Sequence, residues 1–144
     1  MFKTISVFGY IGMVGGLLGL LAIQAVFSTS ILVIGVQIAS VVLLVWARIT
    51  FGWRSFHVVA NPTVGGLIRT GPYKYIPHPI YTSVCLFSWA GVVVHWSAEA
   101  WLLGIVVLAS ALARMFAEER LVVVRYPEYA DYAAHTWRMI PYVY

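Results

Sequence analysis

The chain has 144 residues, of which 62% are hydrophobic and 10% are charged, and its formal net charge is +4. Soluble domains carry about 25% charged residues, so this composition excludes a domain that faces water on all sides. The length allows a single domain over residues 1–144, and the bilayer is the solvent that its composition indicates. The single cysteine, Cys85, lies in an apolar run, which excludes a disulfide framework and a cysteine metal site, and we expect no metal.

The first apolar run covers residues 5–27, which is long enough to cross a hydrocarbon core that takes about 20 helical residues. Four of its glycines, at positions 12, 15, 16 and 19, form two overlapping G-x-x-x-G pairs. Small faces of this kind let membrane helices approach closely. The pattern favours a packing seam and leaves room for a homodimer through this helix, but loose glycine usage explains it equally well.

Three further spans are predicted, over residues 31–50, 79–96 and 98–117. The short break between the first two spans predicts that they form an antiparallel hairpin. Residues 51–78 form a surface loop and residues 118–144 a tail, in which we expect helix to continue to about Arg125. The sequence therefore predicts an all-α integral membrane protein with four transmembrane helices.

Basic residues are divided unevenly between the two sides of this predicted bundle. The loops at residues 28–30 and 95–99 contain no Lys or Arg, so all nine basic residues fall on the other side. Because Lys and Arg concentrate in cytoplasmic loops, this pattern places both termini, the loop and the tail in the cytoplasm. It also explains the positive charge without nucleic acid, which we do not expect as a partner.

The stretch from Gly71 to Tyr81 is the most unusual in the chain, because it holds three of the six prolines and three of the nine tyrosines. Pro72 and Pro79 fix φ and lack an N–H, so the backbone should be stiff and non-helical as far as His78. Pro79 is suited to be the first residue of a helix. A rigid, histidine-bearing approach to an apolar helix indicates a functional site.

Arg114, Glu118 and Glu119 form a second polar cluster, at the predicted cytoplasmic end of the fourth span. Arg114 and Glu118 are four residues apart and share a helix face. Ionisable residues at this depth usually face a bundle interior or a wet cavity, although a snorkelling arginine with a salt bridge explains the pair as well. Together with His78 and Tyr81, which offer hydrogen bonds and π-faces, the cluster predicts a cofactor pocket. This pocket would be formed by the loop before the third helix, the end of the fourth helix and the tail. It would lie beside an apolar cavity that is open to lipid.

Other chemistries have no motif in this chain. It contains no G-x-G-x-x-G after a strand, no H-E-x-x-H, no C-x-x-C and no G-x-S-x-G. These absences exclude a Rossmann-type cofactor domain and give no support to metalloprotease or serine-hydrolase chemistry.

In its two polar clusters the chain resembles the isoprenylcysteine carboxyl methyltransferase family, which is related to the phospholipid N-methyltransferases. The resemblance covers about residues 55–142 and rests on the segments 71–75, 78–81 and 118–119, followed by a Tyr-Pro tail from residue 126. It implies an integral-membrane methyltransferase that uses S-adenosylmethionine.

The resemblance also implies roles for single residues. Those that match cofactor contacts are Leu67, Ile68, Tyr73, His78, Pro79, Ile80, Tyr81 and Glu118. Arg114 matches an arginine that engages the carboxylate of the acceptor, so Arg114 and Glu118 are the expected catalytic residues. Pro77 stands where the family usually has arginine, and Tyr129 and Tyr132 carry over poorly.

The expected reaction is methyl transfer to a lipophilic acceptor that enters from the bilayer, with a carboxylate as the first candidate. An ionised carboxylate or thiolate needs no general base. A phospholipid amine of the phosphatidylethanolamine type must lose a proton, for which Glu118, Glu119 or His78 could serve. A small thiol is a further acceptor, and a non-catalytic adaptor, a transporter or a nicotinamide-dependent membrane reductase remain alternatives.

Overall fold

The structure, a computed structural model, describes residues 1–52 and 66–139. Over these residues all regular secondary structure is helical, which confirms the predicted all-α class. The α-helices are α1 (Phe2–Ala22), α2 (Ile31–Phe51), α3 (Pro79–His95), α4 (Ala98–Arg125) and α5 (Tyr129–Ala134), and a 3₁₀ helix covers Gly71–Lys74.

Three of these helices, α1, α2 and α4, are long and apolar enough to cross a membrane, and α3 is a shorter apolar helix of 17 residues. α2 leaves large apolar side chains exposed, among them Ile31, Leu32 and Ile49. A helix in water would bury such a surface, whereas a helix in lipid has no reason to do so. The chain is a multi-pass membrane protein.

The ends of the helices follow local sequence signals. α3 begins at Pro79 and α4 continues to Arg125, both as predicted. α1 ends at Ala22, before the apolar run does, because the chain turns at Gln24, which has a φ of 58°. The apolar residues after this turn, Ala25 and Val26, do not extend the helix but are buried against Gly91 of α3.

The long helices are arranged in the order α1, α4, α3, α2, since α1 packs along α4, α4 along α3 and α3 along α2. The expected hairpin between the first two spans is therefore wrong in its packing: α1 and α2 are joined by a short turn, but each lies against another helix. Gly9 of α1 lies against Ser110 of α4 and Gly19 against Leu103, so these two helices are antiparallel.

Glycines explain why α1 lies against α4. Those that face α4 are Gly9, Gly12, Gly16 and Gly19. A Cβ added at Gly12 would lie 2.3 Å from the Ser110 hydroxyl oxygen, whereas one at Gly15 would meet nothing within 4 Å. The predicted seam is thus present inside the chain, with Gly9 in place of Gly15. A homodimer through α1 stays a prediction.

The start of α1, the end of α2, the start of α3 and the end of α4 lie at one end of the bundle, which we call the site end. Tyr81 of α3 contacts Glu118 of α4 there. Gly71 approaches the end of α2 so closely that a Cβ would lie 2.5 Å from the Thr50 hydroxyl oxygen, and its φ is 56°. Glycine is required at this position on both counts. The 3₁₀ helix that begins at Gly71 was not expected, because this stretch is predicted to be non-helical.

Candidate functional site

An inner cluster of three polar side chains, Tyr81, Arg114 and Glu118, joins α3 to α4. Arg114 Nε donates to the Tyr81 hydroxyl at 2.7 Å and lies 3.1 Å from Glu118 Oε1. The Tyr81 hydroxyl in turn donates to the same carboxylate oxygen at 2.5 Å. Arg114 is only 5% exposed, so it is not a snorkelling surface residue. A buried arginine needs such partners because its charge has lost its contact with water.

Arg114 also has partners on α1. Its Nη1 donates to the Ser6 carbonyl oxygen at 3.1 Å, and its guanidinium carbon lies 5.1 Å from the centroid of the Tyr10 ring. Sequence reasoning missed both contacts. The Ser6 contact uses a backbone oxygen, which has no sequence signal, whereas a tyrosine inside an apolar run is a signal that was available.

An outer cluster surrounds the Glu119 carboxylate. Glu119 Oε1 lies 3.2 Å from His78 Nε2, accepts a hydrogen bond from the Tyr129 hydroxyl at 3.3 Å and lies 3.6 Å from Arg138 Nε. Burial raises the pKa of Tyr129 and the neighbouring Glu119 charge adds to the rise. The hydroxyl therefore stays protonated and donates. Arg138 thus supplies a cation to the cluster that contains His78, whose chain neighbour Pro77 is buried and carries no charge.

The two clusters are neighbours. The rings of His78 and Tyr81 are stacked, with centroids 5.7 Å apart and planes inclined by 21°, and the two carboxylates are consecutive on α4. Of the residues predicted for the site, the structure brings four together here: His78, Tyr81, Arg114 and Glu118. Pro79 and Ile80 form the first turn of α3 between the two rings.

The remaining predicted residues lie in the segment that leads to this end. Tyr73 is buried, and its ring centroid is 5.5 Å from that of Phe51 on α2. Leu67 and Ile68 are partly buried and follow Gly66, whose N–H donates to the Tyr126 hydroxyl at 3.4 Å. This segment is therefore attached to the chain just after α4.

The tail folds back over the site end. The Tyr132 hydroxyl donates to the Tyr73 carbonyl oxygen, and burial raises the pKa of Tyr132 to about 12. The Trp137 N–H donates to the Tyr75 carbonyl oxygen at 3.1 Å. These bonds tie α5 and the residues that follow it to the 3₁₀ helix and to Tyr75, so the tail packs against the segment that leads into α3.

An apolar cleft of about 390 Å³ lies between α3 and α4, within the range of about 300–1,000 Å³ found for ligand pockets. Its lining residues are Thr82, Cys85, Leu86, Trp89, Leu108, Leu112, Phe116 and Met139. Thr82 follows Tyr81 directly and donates to the Met139 carbonyl oxygen at 2.7 Å. The cleft therefore begins at the part of α3 that carries Tyr81, while exposed Leu86 and Phe116 open its side to the surroundings of the bundle.

The family model described as phospholipid methyltransferase matches residues 23–129. This is well over half of the chain and includes the inner cluster and all of the outer cluster except Arg138. The chain belongs to the phospholipid methyltransferase family. This confirms the recognised family, which includes the membrane methyltransferases of the isoprenylcysteine type. No curated protein and no solved structure gives a significant match.

Family membership gives the site a chemical context. The protein is a membrane methyltransferase, which agrees with its apolar helices and argues against a non-catalytic adaptor or transporter. The matched residues begin after α1, so Ser6 and Tyr10, which contact Arg114, lie outside the matched range.

Proposed function

We propose that the protein transfers a methyl group from S-adenosylmethionine to a lipophilic acceptor held in the membrane. The observation that carries this proposal is the junction between a polar site and an apolar cleft. His78, Glu118 and Glu119 lie on one side of this junction, and the cleft between α3 and α4 lies on the other. A polar cofactor and a lipid-soluble acceptor require such a boundary.

We further propose that all four long helices cross the bilayer, with both termini in the cytoplasm. The 17 residues of α3 are at the lower limit of about 17–25 residues for a span. The site end carries Lys3 and Arg48 at the ends of α1 and α2, whereas the opposite turns at residues 28–30 and 95–97 have no Lys or Arg. This asymmetry supports a cytoplasmic site end.

The side chains at the site end fit S-adenosylmethionine. Glu118, the predicted cofactor contact, uses Oε1 for Tyr81 and Arg114, and a carboxylate offers several acceptor sites, so it could also accept from an ammonium or a ribose hydroxyl. The stacked rings of His78 and Tyr81 offer π-faces, which attract cations such as a sulfonium. The remaining predicted contacts, Leu67 and Ile68, Tyr73, Pro79 and Ile80, belong to the segments that lead into these rings.

When bound, S-adenosylmethionine supplies an electrophilic methyl group on a sulfonium. The chain's own part is to align the acceptor with that methyl group and to exclude water, and orientation of this kind contributes several kcal/mol to catalysis. In this proposal Glu118 fixes the cofactor, and Arg114 receives the carboxylate of an anionic acceptor. The tail, held by Tyr132, keeps water from the site.

A phospholipid amine is the second candidate acceptor. Glu119 and His78 lie 3.2 Å apart and could take the proton that an amine must lose, while Arg138 beside them could pair with a phosphate. The description of the matching family favours this reading as well. A small thiol remains open.

The experiment is a labelled-methyl transfer assay with the full chain in nanodiscs. The acceptors are a prenylated cysteine carboxylate, phosphatidylethanolamine and a lipophilic thiol. We expect label in the carboxylate acceptor, and Glu119→Gln should leave this transfer largely intact because no base is needed. If phosphatidylethanolamine is labelled instead and Glu119→Gln abolishes that transfer, the amine reading replaces the first. Failure of every acceptor class with S-adenosylmethionine would contradict the proposal.

A further inference from the structure

We propose that Tyr10 of α1 is a positioning residue for the methyl-transfer site and that it acts through Arg114. Its ring holds the guanidinium in the orientation in which Nε serves both Tyr81 and Glu118. This inference rests on the proposed function, because Tyr81 and Glu118 are cofactor contacts there. α1 precedes the residues that the family model matches, 23–129, so the match assigns no role to Tyr10.

The guanidinium of Arg114 lies near two aromatic rings. Its central carbon is 5.1 Å from the ring centroid of Tyr10 on α1 and 6.0 Å from that of Tyr81 on α3. Arg114 is 5% exposed, and cation–π attraction is stronger where water is excluded. The Tyr10 ring therefore contributes more here than a surface tyrosine beside an arginine would.

Two other residues of α1 support this contact. Ser6 accepts from Arg114 Nη1 through its carbonyl oxygen at 3.1 Å. Gly9 lets the helices approach, since a Cβ there would lie 2.9 Å from the Ser110 carbonyl oxygen and 3.1 Å from Arg114 Cβ. The spacing of Ser6, Gly9 and Tyr10 places all three on one face of α1. This face of α1 therefore packs against Arg114.

The consequence for the site follows from the shape of the guanidinium. It is a planar fork with donors in fixed directions. When the Tyr10 ring holds its face and Ser6 holds Nη1, the direction of Nε is set, and Nε is the donor that lies 2.7 Å from the Tyr81 hydroxyl and 3.1 Å from Glu118. Without the ring, Arg114 loses the contact that fixes the plane of its guanidinium, so its Nε is held less well towards Tyr81 and Glu118.

The first test concerns the contact itself and needs no cofactor. Thermal unfolding of the full chain in nanodiscs is measured for Tyr10→Leu, Arg114→Gln and the double variant. We expect the Tm loss of the double variant to be clearly smaller than the sum of the two single losses, because both changes remove the same contact. Additive losses would overturn the inference. If Tyr10→Leu does not fold, Tyr10→Met replaces it, since it fills the space without a π-face.

The second test concerns positioning and reads the dissociation constant of S-adenosylmethionine. We expect Tyr10→Leu to weaken binding by about tenfold, the factor that a desolvated cation–π contact supports. Tyr10→Phe keeps the ring and should restore most of the affinity. The matched control is Phe8→Leu, which removes an aromatic ring that is 68% exposed on the same helix.

The outcomes separate this inference from the proposed function. Wild-type affinity in Tyr10→Leu, or an equal loss in Tyr10→Phe, would overturn the role of the Tyr10 ring while the methyltransferase proposal stands. A wild-type protein that binds no S-adenosylmethionine would instead remove the proposed function. The coupling between Tyr10 and Arg114 in thermal unfolding would still be measurable in that case.

Discussion

Arg114 donates through Nε to the Tyr81 hydroxyl at 2.7 Å, and this bond links α4 to α3 beside the mouth of the apolar cleft. Both residues also contact Glu118 Oε1. A substitution of any of these three residues should therefore affect both the proposed cofactor contact, Glu118, and the proposed acceptor contact, Arg114. Substitutions in these residues, and in the helices that carry them, test this arrangement.

Tyr81→Phe removes the bridging hydroxyl and keeps the ring. We expect the free energy of unfolding to fall by about 1.5–3 kcal/mol, the value of hydrogen bonds to charged groups. The ion pair between Arg114 and Glu118 survives this change, so the loss should be smaller than in Arg114→Ala, which breaks the pair, leaves the partly buried Glu118 carboxylate without its cation and costs up to about 3–5 kcal/mol. Chemical unfolding in detergent compares the two variants, and an equal loss in both would be evidence against a bridging role.

Gly9→Ala and Gly15→Ala form a matched pair on α1. A methyl group at Gly9 would lie 2.9 Å from the Ser110 carbonyl oxygen, whereas at Gly15 it would meet open space. We expect Gly9→Ala to cost about 1–3 kcal/mol, since backbone must move to admit it, and Gly15→Ala to be neutral or slightly stabilising. Thermal unfolding in nanodiscs measures both. A cost at Gly15 but not at Gly9 would mean that α1 presents another face to α4.

Tyr132→Phe should change stability in opposite directions at neutral and alkaline pH. Near neutral pH the variant loses the hydrogen bond to the Tyr73 carbonyl oxygen, worth about 0.5–1.5 kcal/mol. In the wild type, burial raises the pKa of Tyr132 from 10.0 to about 12. The folded state thus favours the neutral hydroxyl, and its stability is complete below pH 10 and is lost as the pH rises towards 12.

The variant has no hydroxyl to ionise, so its stability should fall less over this alkaline range. Unfolding curves at a series of pH values, read together with tyrosinate absorbance, measure both effects. The control is Tyr75→Phe, whose ring is half exposed. An alkaline loss as large in Tyr132→Phe as in the wild type would contradict the assigned burial of this hydroxyl.

Leu112→Trp fills the cleft between α3 and α4 without touching either polar cluster. We expect the KM for a lipophilic acceptor to rise by about tenfold or more, because each methylene that the smaller apolar pocket no longer accommodates weakens binding by about tenfold or more. The affinity for S-adenosylmethionine should stay near that of the wild type. Leu102→Trp on the exposed face of α4 is the control. Unchanged acceptor kinetics in Leu112→Trp would show that acceptors use another route.

Most of the helices could be predicted from the sequence because each apolar run must satisfy its backbone internally in lipid. Proline at the first position fixed the start of α3, and Tyr126-Pro127 ends α4 for the same local reason. The neighbours of each helix could not be predicted in this way. The pairing of α1 with α4 depends on Gly9 and on its fit to Ser110, which are far apart in the chain.

The candidate site was predictable where side chains carry the contacts. His78, Tyr81, Arg114 and Glu118 are brought together as expected. The contribution of Ser6 was not predictable, since any residue supplies a carbonyl oxygen. The spacing of the tail gives no signal for Tyr129, yet the fold of α5 brings its hydroxyl to Glu119. Parts of the predicted loop and tail, residues 53–65 and 140–144, lie outside the described residues.

The most direct test of the central proposal is the binding of S-adenosylmethionine to the full chain in nanodiscs, measured by calorimetry. The wild type should bind, and His78→Ala and Glu118→Ala should each weaken binding by about tenfold or more, the loss expected when a charged or hydrogen-bonding contact is removed. Asp131→Ala removes a carboxylate whose side chain is 77% exposed and should bind like the wild type. Absence of binding in the wild type, or unchanged binding in both site variants, would contradict the proposed cofactor site.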